Sequence, residues 1–255
     1  MSKKYISYFL TICFFLLSFK LSGEKQITVY LIGDSTLSIK DKKAYPETGW
    51  GMPFTQFFDK NVNIENRAMN GRSTSSFLKE NRWQAVLETL KEGDYVLIQF
   101  GHNDEVATKK TYTTPEEFKA NLLLYVTETR AKKGIPVLIT PVARRKFDAD
   151  DKVVDTHKEY AQLVREVAVK NQVLLIDLAV KSMELLQNYG IEKSKYLFNH
   201  LEVGQNPNYP DGKKDDTHFN ELGARLMAQL VLAEIKNLNL PLVNQIVKPA
   251  EPKKQ

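Results

Sequence analysis

Residues 27–36, ITVYLIGDST, join an apolar run to a short polar loop. The first six form a continuous apolar run that ends at Gly33, which predicts a β-strand buried on both faces of a sheet. Four further apolar runs predict strands of the same sheet. They cover residues 62–65, 95–100, 136–140 and 173–176, the first of them short.

Amphipathic segments between these runs predict helices. The clearest begins at Thr114, a capping residue followed by Pro115 and two acidic residues, and it is expected to stop before Gly134. The others cover residues 83–91, 155–170, 178–189 and 220–238, the last with Asn220 as its cap. Strands that alternate with helices predict an α/β fold with a parallel sheet, right-handed crossovers and helices on both faces.

The chain of 255 residues has no evident linker, which favours one domain over residues 24–240 and a basic C-terminal tail over residues 241–255. Lys3 and Lys4 precede an apolar run that ends before Lys20, and Gly23 offers a small residue for cleavage. Residues 1–23 are therefore typical of a signal peptide, and a secreted or periplasmic protein is expected. The run is shorter than the about 20 residues that cross a bilayer, so no permanent membrane span is expected after cleavage. An uncleaved anchor is the alternative.

Composition limits the possible functions. The only cysteine, Cys13, lies in the predicted signal peptide, so the mature protein would have no disulfide, thiol nucleophile or cysteine metal site. The histidines show no metal-binding spacing, and neither a metal nor another cofactor is predicted. The net charge is +5, without basic runs interleaved with aromatic residues, which gives no support for nucleic-acid binding. The mild basic excess fits either a polyanionic partner or an ordinary solvated surface.

Ligands of parallel sheets bind beyond the carboxyl ends of the strands, and three polar loops follow predicted strands there. Ser35 comes directly after the first strand and is a candidate nucleophile, although a serine in a simple turn is the alternative. Gly71 follows the second strand and would let a backbone N–H approach a ligand. Asn103 follows the third strand, and its side-chain amide could donate to an oxyanion. The adjacent His102 is expected to make structural hydrogen bonds, with a role as ligand or base as the alternative.

A fourth polar segment, residues 215–218, precedes the last helix. A serine hydroxyl needs a base within hydrogen-bond reach, and His218 can serve. The imidazole in turn needs an acceptor on its far nitrogen, which Asp215 can reach from three residues earlier. Asp216 is the competitor for that role. His157 and His200 have no carboxylate at an evident triad spacing.

Together, these four segments resemble the four sequence blocks of the SGNH, or GDSL, hydrolase superfamily over about residues 27–238. The resemblance implies a three-layer α/β/α sandwich with a five-stranded parallel sheet in flavodoxin-like order. It implies a catalytic triad of Ser35, His218 and Asp215. It also implies an oxyanion hole formed by the backbone N–H groups of Ser35 and Gly71 and the side-chain amide of Asn103.

Further motifs resemble one branch, the rhamnogalacturonan acetylesterases. They are GDST at 33–36, GWG at 49–51, GRS at 71–73, ENR at 80–82, GDYV at 93–96 and FGHND at 100–104. This likeness implies removal of acetyl groups from a plant cell-wall polysaccharide or oligosaccharide, with pectic rhamnogalacturonan as the expected substrate. The alternatives are another SGNH esterase, such as a xylan acetylesterase, lysophospholipase or thioesterase, and a non-catalytic carbohydrate-binding protein.

Basic residues near the predicted crevice are candidate substrate-binding residues, because they could face the carboxylates of galacturonate. Solvated surface charges are the alternative for each of them. These residues are Arg72, Arg144, Arg145, Lys213 and Lys214.

Overall fold

A computed structural model describes residues 26–248 of the chain. Its sheet is formed by five strands, β1 (Ile27–Gly33), β2 (Val62–Asn66), β3 (Tyr95–Gln99), β4 (Ile135–Ile139) and β5 (Leu174–Ile176). All five are parallel, in the order β2-β1-β3-β4-β5. The prediction of a parallel sheet with flavodoxin-like order is confirmed.

Seven α-helices accompany the sheet in the described part of the chain. They are α1 (Gly51–Phe54), α2 (Thr74–Lys79), α3 (Arg82–Leu87), α4 (Pro115–Ala131), α5 (Lys158–Lys170), α6 (Leu178–Ser194) and α7 (Glu221–Asn237). Short 3-10 helices cover Lys42–Ala44, Thr55–Phe57, Lys195–Leu197 and Pro241–Gln245.

Side chains that alternate along the strands form two separate hydrophobic cores. In β1, Val29 and Leu31 pack into one core with α1, α6 and α7, whereas Tyr30 and Ile32 pack into the other with α2, α3, α4 and α5. A strand whose two faces are both covered reads as a continuous apolar run, which is why β1 was recognisable in the sequence. The three-layer α/β/α sandwich is confirmed.

Local capping explains where the main helices begin. Thr114 accepts a hydrogen bond from the Glu117 backbone N–H, and the Glu117 side chain accepts one from the Thr114 backbone N–H, so α4 starts with a complete capping box. Asn220 caps α7 as predicted, through a hydrogen bond from the Gly223 backbone N–H to its side chain.

Other helix bounds differ from the predictions. The helix predicted over residues 155–170 begins only at Lys158, because Asp155 accepts the backbone N–H of His157 in the preceding turn. The helix predicted over residues 178–189 continues to Ser194, with a kink at Gly190, whose φ of 68° is not helical. The helix predicted over residues 83–91 ends at Leu87, and the short helices α1 and α2 were not predicted.

The prediction of a tail from residue 241 is wrong at its start. Leu242 is completely buried in the core with α7, and the backbone N–H of Val247 donates to the carbonyl of Phe57 at 2.9 Å. Apolar residues in this segment therefore extend the folded domain to at least Val247. The predicted signal peptide, residues 1–23, lies outside the described residues. Within residues 26–248, no helix combines the length and the apolar character that a membrane crossing requires.

Candidate active site

A buried hydrogen-bond chain holds the loop that carries Ser35 at the carboxyl end of β1. The Trp50 indole donates to Gln99 Oε1 at 2.6 Å, and Gln99 Nε2 donates to the Thr36 hydroxyl at 2.7 Å. That hydroxyl donates to Asp34 Oδ1 at 2.9 Å. All four side chains are buried, so their polar groups depend on one another for hydrogen-bond partners.

Gly49 allows Trp50 to sit this close to the Ser35 loop. A Cβ atom added at Gly49 would lie 2.0 Å from the backbone oxygen of Ser38, where no side chain fits. The backbone N–H of Trp50 donates to the carbonyl of Thr36 at 2.9 Å, which joins the two segments directly. The GWG motif therefore packs against the Ser35 loop and fixes its position.

Ser35, His218 and Asp215 form a continuous line of hydrogen-bond contacts. Ser35 Oγ lies 3.0 Å from His218 Nε2, and His218 Nδ1 lies 2.9 Å from Asp215 Oδ2. Asp215 Oδ1 also accepts the backbone N–H groups of Thr217 and His218, both at 2.9 Å. The turn before α7 thus fixes the carboxylate and the imidazole together.

Asp215 carries the negative charge that can stabilise a protonated His218 ring. Burial alone would raise the pKa of its carboxyl, but the hydrogen bonds from the ring and the backbone N–H of His218 outweigh burial. The pKa of Asp215 is therefore held well below its ordinary value, and the group is ionised at neutral pH.

The competitor Asp216 is engaged elsewhere. Its Oδ1 accepts from Arg145 Nη1 and contacts His200 Nε2, each at 2.8 Å. Because its carboxylate already has these two partners, Asp215 is the acidic residue that the structure places beside His218.

The other predicted groups meet Ser35 in one cavity of about 390 Å³. Gly71 and Asn103 line its wall together with Ser35 and His218. Gly71 has a φ of 75°, a conformation that favours glycine, and no atom lies within 4 Å of the position that its Cβ would take. The residues predicted to form an oxyanion hole are therefore brought to the same cavity.

Lys109 orients the amide of Asn103 and was not found by sequence reasoning. Its ammonium donates to Asn103 Oδ1 at 3.0 Å, while Asn103 Nδ2 donates to the carbonyl of Arg72 at 3.0 Å. The oxygen and one N–H of the amide are thus both engaged, which fixes which way the group faces. Lys109 lines the cavity, but nothing in the motif at residues 101–104 points to a residue five positions beyond it.

Asp104 ties the loop after β3 to the loop after β2. Its Oδ1 accepts from the backbone N–H of Thr74 at 2.8 Å and from the Thr74 hydroxyl at 2.6 Å. Burial raises the pKa of Asp104 to about 7, against the opposing effect of these hydrogen bonds. The loops that carry Gly71 and Asn103 are therefore joined by a completely buried carboxyl group.

A second group missed by sequence reasoning lies beside the triad. Glu47 lines the cavity and contacts Lys40 Nζ at 2.8 Å and Lys213 Nζ at 3.4 Å, and Lys213 Nζ lies 3.5 Å from Asp215 Oδ2. Burial has the largest single effect and would raise the pKa of Glu47, but the hydrogen bond and the charge of Lys40, together with further positive charge nearby that includes Lys213, outweigh burial and lower the pKa. Burial also lowers the pKa of Lys40, and the carboxylate of Glu47 opposes that effect.

These contacts bear on whether the site could hold a metal ion. Among the described residues, Glu47, Asp215 and His218 place potential ligand atoms within 4.8 Å of one another. Lys40 and Lys213 contact the same carboxylates, so two ammonium groups already supply positive charge at this point. The donor set therefore fits an ion-pair network better than a cation site.

The structure separates the predicted substrate-binding residues. Arg144 lines the cavity, donates to the Thr217 hydroxyl at 2.9 Å and pairs with Glu105 at 3.3 Å. Arg72 and Lys213 are not part of the cavity wall, and Arg72 instead pairs with Glu80 at 3.0 Å. Arg145 is nearly buried and bound to Asp216, so it serves the structure of the His218 loop.

His102 packs against a second histidine beside the catalytic cavity. The ring is buried against His157, with centroids 4.2 Å apart, and neither ring nitrogen has a side-chain hydrogen bond among the described residues. Burial lowers the pKa of His102 well below its ordinary value, so the ring is neutral at neutral pH. His157 does have a carboxylate partner, Glu105 at 2.8 Å, which its spacing in the sequence did not reveal.

A parallel α/β/α sheet that holds a serine, a histidine and an aspartate in contact at its carboxyl edge defines a class of serine hydrolases. Residues 31–226 match the GDSL-like Lipase/Acylhydrolase family, and the chain belongs to that family. It is accordingly a serine esterase.

Two proteins of Bacillus subtilis are similar to most of the chain. The chain is 42% identical to the rhamnogalacturonan acetylesterase RhgT over 225 residues, which cover 88% of this chain and 96% of that protein. It is 34% identical to the probable rhamnogalacturonan acetylesterase YesY, over 86% of this chain and 97% of that protein.

Solved structures show the same fold. The crystal structure of the Bacillus subtilis protein YXIM matches 85% of this chain with a TM-score of 0.73 and 26% identity, although the chain spans only 58% of that protein. An acetylxylan esterase of Geobacillus stearothermophilus, Axe2, matches 83% of this chain and 96% of its own with a TM-score of 0.58 and 18% identity. The second likeness concerns the fold alone.

Proposed function

We propose that this protein removes acetyl groups from pectic rhamnogalacturonan by a Ser-His-Asp mechanism. The observation that carries the proposal is the line of contacts from Ser35 through His218 to Asp215, at the edge of a cavity that also contains Gly71 and Asn103. The similarity to two Bacillus subtilis proteins named as a rhamnogalacturonan acetylesterase and a probable one supports the choice of substrate.

The first half of the reaction acylates Ser35. His218 Nε2 accepts the hydroxyl proton while Ser35 Oγ bonds to the carbonyl carbon of the acetyl ester. The N–H groups of Ser35 and Gly71 and the Asn103 amide donate to the oxyanion that forms. When the intermediate collapses, the bond to the sugar oxygen breaks and His218 transfers its proton to that oxygen.

The second half regenerates the enzyme. Water attacks the acetyl-serine carbonyl and gives a proton to His218, and collapse releases acetate and returns a proton to Ser35 Oγ. Asp215 remains ionised throughout and stabilises the positive charge on His218, consistent with its lowered pKa. No external cofactor is needed for this balance of atoms and protons.

The charges in the cavity wall favour an acidic polysaccharide as the substrate. Lys109 and Arg144 are its two basic side chains, and Glu47 is its one carboxylate. A galacturonate carboxylate near the acetylated sugar would find cationic partners there.

For the cellular location, we propose export through the predicted signal peptide at residues 1–23. The test compares the mass of the extracellular protein with that of the full chain.

Acetate release tests the proposed function directly. Purified residues 24–255 and the Ser35→Ala variant are assayed side by side on acetylated rhamnogalacturonan and on acetylated xylan. Ser75→Ala, a similar change on α2 outside the cavity, serves as the matched control. Release from the pectic polymer alone, lost in Ser35→Ala and retained in Ser75→Ala, is the expected result.

Other outcomes would change specific parts of the proposal. Equal release from both polymers would keep the mechanism and remove the pectin assignment. Release from neither polymer would point to a different acyl group, and 4-nitrophenyl esters of increasing chain length would then identify it. A Ser35→Ala protein with full activity would refute the mechanism.

A further inference from the structure

A second cavity of about 580 Å³ lies next to the catalytic cavity. Glu47 belongs to the walls of both cavities, so the two cavities adjoin at this residue. The Glu47 side chain is held between Lys40 and Lys213 at 2.8 and 3.4 Å, which makes this boundary a fixed part of the structure. A chain-like ligand bound at Ser35 could therefore continue across Glu47 into the second cavity.

An exposed aromatic residue with a fixed position lines this second cavity. Tyr45 is 49% exposed, yet its hydroxyl donates to Glu221 Oε2 at 3.0 Å. The Asn208 side-chain amide donates to the backbone carbonyl of Tyr45 at 2.9 Å and anchors the loop. An aromatic ring that is both accessible and immobilised can contact the apolar face of a sugar without a large loss of side-chain entropy.

The polar groups around Tyr45 suit hydroxyl groups. Gln56 and Arg225 line the same cavity and are hydrogen-bonded to each other at 3.1 Å, and Asn208 adds a planar amide. Planar side chains of this kind offer donors and acceptors in fixed directions. The walls therefore combine one aromatic surface with several oriented hydrogen-bonding groups.

The balance of charge distinguishes the second cavity from the first. Its wall contains three basic and three acidic side chains: Lys40, Lys42, Arg225, Asp41, Glu47 and Glu221. The catalytic cavity has two basic side chains against one carboxylate. An uncharged ligand is therefore favoured in the second cavity, whereas an acidic one is favoured beside Ser35.

We propose that the second cavity is a subsite for an uncharged sugar residue of the same polysaccharide chain that carries the acetyl group. This inference rests on the proposed function for the identity of the chain. It adds that the enzyme recognises more of the polymer than the acetylated sugar, with Tyr45 as the contact surface and Glu47 as the boundary between an acidic and a neutral sugar position.

Kinetics with long and short substrates test the subsite. The kcat/KM of the Tyr45→Ala variant is measured on acetylated rhamnogalacturonan oligosaccharides and on 4-nitrophenyl acetate, which is too small to reach beyond the catalytic cavity. The ratio of the two values is expected to fall about tenfold, mainly through a higher KM for the oligosaccharide, because an aromatic contact surface is lost. Tyr196→Ala, at a 72% exposed tyrosine outside the cavity wall, is expected to keep the ratio.

A binding measurement separates failure of the subsite from failure of the proposed function. Calorimetric titration of rhamnogalacturonan oligosaccharides into the Ser35→Ala protein is compared with titration into Ser35→Ala/Tyr45→Ala. About tenfold weaker binding in the double variant supports the subsite even if the wild-type protein releases no acetate. Equal affinity in the two proteins, or an unchanged kinetic ratio in Tyr45→Ala, would overturn the subsite and leave the esterase mechanism intact.

Discussion

Asp104 should make the stability of this protein fall as the pH rises from 5 to 8. The carboxyl group is completely buried, and burial raises its pKa from 3.8 to about 7. Between these two values the folded protein holds a proton on Asp104 that the unfolded chain has already released. Stability therefore decreases with rising pH, since the folded state binds more protons than the unfolded state.

The magnitude follows from the two pKa values. The contribution is fully present below pH 3.8 and is lost as the pH rises through about 7. Over the whole interval it amounts to about 4 kcal/mol, of which about 2.5 kcal/mol falls between pH 5 and 8. Asp104→Asn retains an oxygen acceptor for Thr74 but does not titrate, so it should lack this part of the pH dependence.

Urea unfolding of the wild-type protein and Asp104→Asn at pH 5, 6, 7 and 8 measures the effect. The free energy of unfolding of the wild type, relative to that of the variant, should fall by about 2.5 kcal/mol across this range. The buried groups Asp34 and His102 titrate in both proteins, so the difference isolates Asp104. Asp211→Asn, at an exposed carboxylate, is the control and should follow the wild type. A wild-type curve parallel to that of Asp104→Asn would refute the reasoning.

Three further changes test other parts of the structure. Leu242→Ala should lower the free energy of unfolding by about 2–5 kcal/mol in urea titrations, because Leu242 is completely buried; a loss below 1 kcal/mol would mean that this segment does not pack on the core. Trp50→Phe should cost about 1–3 kcal/mol in thermal unfolding, since it leaves buried Gln99 Oε1 without its donor. Asn103→Ala should lower kcat for acetate release about 10²–10³-fold if its amide donates to the oxyanion, and a loss smaller than threefold would exclude that role.

The parts of the fold that could be predicted are those fixed by neighbouring residues. The strands are recognisable because β1, β3 and β4 are buried on both faces and therefore continuously apolar. The start of α4 is recognisable because its capping box lies within four residues. The contact between Asp215 and His218 was predictable for the same reason, since one turn brings residues three positions apart together.

The parts that could not be predicted depend on contacts between distant residues. Residues 241–255 were predicted to form a basic tail, but Leu242 near their start packs into the core with α7. Helix α2 has only six residues and one completely buried aromatic side chain, too little for a periodic pattern. Glu47 lines the catalytic cavity and contacts Lys213, which lies 166 residues away in the chain.

The same distinction explains why charge in the sequence was a poor guide to substrate contacts. Arg145, Arg72 and Lys213 looked equally suited to bind a carboxylate, yet each is engaged by a carboxylate of the protein itself. Arg144 lies in the catalytic cavity wall, as does Lys109, which no motif marked. A basic residue can favour an acidic substrate only where the fold places it in the wall of the catalytic cavity. Pairing within the protein does not by itself decide this, since Arg144 also contacts Glu105 at 3.3 Å. The partners of Arg145 and Lys213, Asp216 and Glu47, lie on distant segments of the chain, so the way these segments meet decides which charges remain in the wall of the catalytic cavity.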